Sequence, residues 1–182
     1  MRDLLEIREQ QAEHSAAGRP LPAGVPWLNE ARRLMLDDGR VGLHSGRAAL
    51  RLLSKVNHRV PLGVPWCGLF VGHCLRAAVP AVDIPTHHAR ARPWKAWGED
   101  ADPQIGAVMV FWHYWQGSPF GHVAFYWAED EDAFHVLGGN QRDHITIQRY
   151  PKDRLVTVRW PEGLARTGRR RYAPPEAAEP FG

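Results

Sequence analysis

The sequence predicts an α+β domain, with helices packed on one face of a small antiparallel sheet of about five strands. Three observations predict it. Apolar residues recur at helical spacing as far as Pro80; after Asp102-Pro103 they gather into short β-branched or aromatic runs; and those runs follow one another as a meander, separated by turn residues.

Residues Arg2–Ala17 have helical composition and a short apolar side of Leu4, Leu5 and Ile7. The segment GRPLPAG interrupts it, so residues 1–24 read as a loosely attached N-terminal helix and linker. Trp27–Leu36 (WLNEARRLML) and Gly46–Val56 are expected helices, and Pro61–Pro65 is a turn-rich lead-in. From there Cys67, Phe70, Val71, Cys74 and Ala78 fall at i, i+3, i+4, i+7 and i+11, a single helical stripe that Pro80 ends. Pro85–Trp97 (PTHHARARPWKAW) is polar with spaced tryptophans, an irregular or short helical connection. The expected strands are Gly106–Trp112, His122–Ala128, Phe134–Leu137, Ile145–Arg149 and Leu155–Trp160. The tail, residues 162–182, is rich first in Arg and then in Pro, Ala and Glu, and reads as poorly ordered. The folded unit is therefore expected over residues 25–161, and no internal repeat is visible.

At 182 residues the chain suits one domain with a sizeable core, and 44% apolar with 24% charged residues is ordinary for a globular protein. The net charge of +3 leans basic, with much of the excess in Arg166–Arg171 (RTGRRR). Surface drift and attraction to an anionic polymer both account for that sign. No apolar run approaches the roughly 18 residues of a membrane-spanning helix, so no membrane insertion is expected. The start, MRDLLEIREQQAEH, carries acids where a secretory signal has a basic end and an apolar centre. No phosphate-binding loop, G-x-S-x-G elbow or H-E-x-x-H helix occurs, and no nucleic-acid motif accompanies the arginines. Neither a metal nor a cofactor is called for, no nucleic acid is expected as a partner, and a monomer is expected.

Both cysteines lie in VPWCGLFVGHCL. Seven helical positions separate Cys67 from Cys74 by roughly 10 Å. A disulfide needs Cα atoms within about 7 Å, so the two do not bridge, and the spacing matches no zinc pair. Cys74 lies on the buried stripe as a small core residue. Cys67 opens the helix, where unpaired N–H groups favour thiolate over thiol and are able to hold an oxyanion. Its two readings are packing residue and nucleophile.

A thiol nucleophile needs a base. His14, His58, His87 and His88 sit in polar surroundings, and His73 is turned off the Cys67 stripe. His122 starts a strand just after GSPFG, where a side chain is open to a cleft while the sheet holds its backbone. If Glu129 faces Ala133 across the acidic hairpin turn, His122 faces Asn140 about 5 Å away, and an amide there holds one ring nitrogen. A register slip puts Gly139 there instead, and Asn140 in GGNQ also reads as a left-handed turn residue. His135 lies too far along the strand in either register. Trp94, Trp97, Trp112 and Trp115 line a groove or fill the core.

The order PWC at a helix start, GAVMVF, GHVAFYWAED and HVLGGNQ resembles the NlpC-type and CHAP cysteine peptidases, papain-like hydrolases that cut amide bonds of bacterial peptidoglycan. The likeness extends to Phe70-Val71, to ARPWKAWG at Ala91–Gly98 and to PWL at Pro26–Leu28, and spans about Pro26–Pro161. It implies a papain-like fold and Cys67 as nucleophile. It implies His122 as general base and acid, Asn140 as the residue orienting it, and Trp66 and Gln141 as substrate-binding residues. The expected activity is peptidoglycan amide hydrolysis, at the sugar–peptide amide or within the stem peptide. Made in the cytoplasm without a signal peptide, the protein is expected to act at the periplasm or cell wall. A phage system or specialised secretion would deliver it, with an immunity protein as partner in the toxin case. A papain-like protease or acyltransferase with an intracellular target, and a silent wall-binding module, are the alternatives.

Overall fold

A computed structural model describes residues 25–41 and 65–181. The helices expected at Arg2–Ala17 and Gly46–Val56 lie outside the described residues. Helix α1 spans Pro26–Val41 and α2 Cys67–Ala78, and a short 3₁₀ turn covers Arg92–Ala96. Six strands follow: β1 (Glu99–Asp100), β2 (Val108–Trp112), β3 (Gly121–Glu129), β4 (Ala133–Gln141), β5 (His144–Pro151) and β6 (Leu155–Trp160). They form one open antiparallel sheet in the order β1-β6-β2-β3-β4-β5. The five expected runs become β2–β6. The addition is β1, two residues long and too short to carry an alternating pattern. Neither described helix is long and apolar enough to cross a membrane.

Helix α2 packs on β3 and β4, and α1 packs on α2. The stripe predicted from Cys67 is the buried one: Cys67, Phe70, Val71 and Cys74 are all buried, and Phe70 meets Phe125 of β3 at 6.3 Å between ring centres. Side chains alternate along a strand, so His122 and Ala124 point to the opposite face. There Phe111 of β2 meets Tyr150 of β5 at 4.8 Å, although β3 and β4 lie between their strands. The sheet therefore curls enough to bring strands three places apart into side-chain contact, in the sense that twisted sheets coil.

The tail is not loose, contrary to its composition. The Glu129 and Ala173 N–H groups bond the Arg171 and Glu129 carbonyls, and Glu179 joins the backbone of β5 in parallel through Ile147 and Arg149. Edge strands expose unpaired backbone groups, and here the tail takes up those of β5. The arginines anchor it: Arg170 reaches the buried Glu129 carboxylate, Arg166 reaches Glu99, and Arg171 stacks on Trp127. Much of the basic run is thus engaged within the fold. Trp94 and Trp97 belong to the core, each with its ring N–H on a backbone carbonyl, whereas Trp115 is exposed.

Candidate active site

Trp66 caps α2 without a side-chain hydrogen bond, so the N–H groups of the first turn have no capping acceptor. The Cys67 sulfur lies among them, facing the N–H groups of Cys67, Gly68 and Val123. Val123 belongs to the part of β3 beyond its last pair with β4, Phe125↔Leu137. The N–H cluster favours thiolate as expected, yet burial outweighs it and pushes the thiol pKa up. Burial thus works against the thiolate that the helix start favours.

His122, second residue of β3, is also buried. Its Nε2 lies 3.1 Å from Gln141 Oε1. The Gln141 amide nitrogen donates to the Thr146 carbonyl (2.7 Å) and to Thr146 Oγ1 (3.1 Å), so its oxygen is the atom turned to the imidazole. His122 Nε2 must then carry the proton and donate it, which leaves a lone pair on Nδ1. Burial, helped by the charge of a protonated His113, pushes the His122 pKa down to about 3, against the effect of the Gln141 bond.

The amide meeting the imidazole is thus Gln141, and the assignment of that contact to Asn140 is corrected. Near the turn Glu129 faces Phe134, not Ala133; a bulge between Tyr126 and Ala128 then restores the expected register at Tyr126↔Val136. The ladder stops one pair later, and a second irregularity between Gly138 and Gln141 re-aims the strand end. Asn140 takes the left-handed conformation there (φ 61°). Bulges redirect side chains in this way.

Each residue of GGNQ then has a physical reason. A Cβ on Gly138 would lie 3.0 Å from both His122 Nε2 and Gln141 Oε1, in the space their hydrogen bond occupies. A Cβ on Gly139 would lie 2.2 Å from the Trp66 ring. Trp66 itself is corrected from substrate contact to core: it is 1% exposed, and its Nε1 donates to Asp143 Oδ1 at 3.1 Å. It ties the start of α2 to the β4–β5 turn. Gln141 is likewise buried, and its amide is engaged by His122 and Thr146.

Two chambers meet at Cys67. One, of about 230 Å³, is polar and shared with His122, Gln141, Tyr150 and His113. The other, of about 450 Å³, is walled by Pro65, Ala89, Ala91, Pro119 and Phe120, with Arg90 as its charged member. Tyr150 stacks on His122 at 4.8 Å and 6° between planes, and burial together with Cys67 pushes its hydroxyl pKa up. The His113 ring lies parallel to that of His122 at 6.3 Å, and burial and Arg154 lower its pKa. Its Nε2 is buried with no partner among the described residues. Tyr150 and His113 were not singled out from the sequence. Tyr150 arrives through the curl of the sheet. His113 was readable, because a β2–β3 hairpin sets it just past the pair Trp112↔Gly121.

Three other histidines have structural partners: His73 bonds Glu30 of α1, His88 the Pro85 carbonyl, and His135 the Asp130 carboxylate. Both cysteines are free and buried. Comparison with family models, with curated proteins and with solved structures returned no match.

Proposed function

We propose that the protein is a papain-like peptidoglycan hydrolase that cleaves an amide bond through a thioester. The observation that carries this reading is one cavity lined by both a helix-start thiol and an imidazole whose Nε2 is engaged, leaving Nδ1 as the basic nitrogen. Because burial favours the neutral thiol and the neutral imidazole, the proton leaves sulfur as the bond to carbon forms. Sγ attacks the carbonyl carbon, His122 Nδ1 takes the thiol proton, and backbone N–H groups beside the sulfur hold the oxyanion. The imidazolium then protonates the leaving amine, the C–N bond breaks, and a thioester remains. Water attacks that thioester, giving one proton to Nδ1 and its oxygen to the acyl carbon; the C–S bond then breaks, releasing the carboxylic acid, and the imidazolium returns the proton to the departing sulfur.

The net basic charge suits an anionic wall. The setting we propose is a phage lysin or a secreted interbacterial toxin, and for a toxin an immunity protein seated over the two chambers is the natural partner. Incubation of the purified chain with peptidoglycan sacculi, followed by mass spectrometry, tests the reading. Release of fragments with new amine termini, lost in Cys67→Ala while binding persists, supports it. Equal release by Cys67→Ala removes the nucleophile. Cleavage of folded proteins with intact sacculi moves the activity to an intracellular protease. Binding without cleavage by the unaltered chain leaves a wall-binding module.

A further inference from the structure

Phe181, in the tail, lies against the rings that surround His122. The Glu179 N–H donates to the Ile147 carbonyl (2.8 Å), and the Glu179 carbonyl accepts from the Arg149 N–H (2.7 Å). Gln148 Nε2 donates to the Pro180 carbonyl (3.1 Å). These bonds fix the backbone just before Phe181 along β5. The Phe181 ring then meets Tyr150 edge-on, at 4.9 Å and 71° between planes, and His113 at 6.3 Å and 73°. The Arg154 guanidinium stacks on Phe181 at 4.6 Å and on Trp112 at 4.8 Å, which ties the ring to the end of β2 as well. Both rings that Phe181 meets lie parallel to the His122 imidazole, Tyr150 to within 6° and His113 to within 3°. Phe181 itself lines neither chamber.

A base needs its lone pair aimed as well as free. The bond from Nε2 to Gln141 holds one atom of the imidazole. That atom lies near the axis about which the ring turns, so the bond sets the plane of the ring only weakly. A flat neighbour sets it firmly, and Tyr150, stacked on His122 at 4.8 Å, is that neighbour. Aromatic rings favour stacked and edge-to-face meetings, and Tyr150 makes one of each, with His122 and with Phe181. Phe111 of β2 holds Tyr150 from within the sheet, and Phe181 holds it from the tail. Given the hydrolase reading above, we infer that Phe181 is a positioning residue: it keeps Tyr150 and His113 parallel to the imidazole and, through Tyr150, keeps His122 in the plane from which Nδ1 serves the Cys67 thiol. A segment whose composition reads as loose thus completes the setting of the base.

Two substitutions and two readouts test this. Phe181→Ala removes the ring, and Phe181→Tyr keeps it. With soluble peptidoglycan fragments as substrate, kcat of Phe181→Ala should fall about tenfold, less than the roughly hundredfold that an ångström of misplacement costs. KM should stay within about twofold, because Phe181 lines neither chamber. Phe181→Tyr should regain kcat to within about twofold. The second readout needs no substrate: the parallel Tyr150 ring shields the His122 ring protons, so their NMR signals should move downfield in Phe181→Ala and hold in Phe181→Tyr. A rise in KM in place of a fall in kcat, a loss that Phe181→Tyr does not regain, or His122 signals that stay in place in Phe181→Ala overturns the positioning role. Moved signals in a chain without hydrolase activity keep the hold of Phe181 on the ring and remove the hydrolase reading; unmoved signals in an active chain do the reverse.

Discussion

Gln141→Ala separates the amide that meets the imidazole from its neighbour in sequence. Gln141 accepts one hydrogen bond from His122 Nε2 and donates two to Thr146. Truncation leaves the His122 N–H and the Thr146 carbonyl without those partners. Orphaning the buried His122 N–H costs about 1–3 kcal/mol and the part-buried Thr146 carbonyl about 1 kcal/mol, so a loss of about 2–4 kcal/mol is expected. For a chain of this length that is a melting-temperature drop of roughly 5–15 °C. The effect on chemistry is separate: the ring is no longer held in the Nε2–H tautomer, and fragment release should fall by about 10²-fold, the lower end of what a positioned base supplies. Asn140→Gly is the control, because glycine keeps the left-handed backbone while removing the side-chain amide. It should lose less than about threefold. The paired assays are fragment release and the rate of Cys67 alkylation by iodoacetamide, which needs no peptidoglycan. A Gln141→Ala protein within threefold of the unaltered one, or an Asn140→Gly protein equally impaired, refutes the reasoning.

Three further outcomes are expected. His122 titrates near 6.5 when unfolded and only near 3 in the fold. The unfolded chain therefore binds the extra proton between those values. Stability from this group is complete above about pH 6.5 and falls by up to about 1.4 kcal/mol per unit as pH drops toward 3. Urea unfolding at pH 7, 5 and 4 checks this, and a His122→Gln chain with the same pH slope contradicts it. His113→Phe removes one of the influences that lower the His122 pKa, so NMR titration of the imidazole should give a higher value; an unchanged or lower one refutes the coupling. Gly139→Ala drives a methyl group into the Trp66 ring and should cost about 1–3 kcal/mol while slowing Cys67 alkylation, because Trp66 sets the start of α2. Unchanged thermal unfolding and alkylation would show that the ring has room to move.

Most of the architecture was legible because it follows from local pattern. The Cys67 stripe, its end near Pro80 and the five longer strands each rest on a periodicity confined to a few neighbouring residues. The two-residue β1 has no such pattern. The tail was misread because composition speaks for an isolated segment, whereas its order comes from the edge of β5 and from Glu129 and Trp127, distant in sequence. Cys67 and His122 were legible as residues at the ends of regular elements. The orienting amide was missed by one position, since the bulge after Tyr126 and the irregularity before Gln141 are not written in strand alternation.

The sequence by itself determined which thiol stands at a helix start, which histidine opens a strand, and that the two cysteines do not bridge. Those are consequences of rise and period along a single element. Only the tertiary structure decided that Gln141 and not Asn140 meets the imidazole, that Trp66 is core, and that Tyr150 and His113 flank His122. It also decided how far water is excluded from the site. Helix position favours a thiolate, but removal of water around Cys67 and His122 favours neutral forms of both, and desolvation depends on everything packed around a group, which no local pattern encodes.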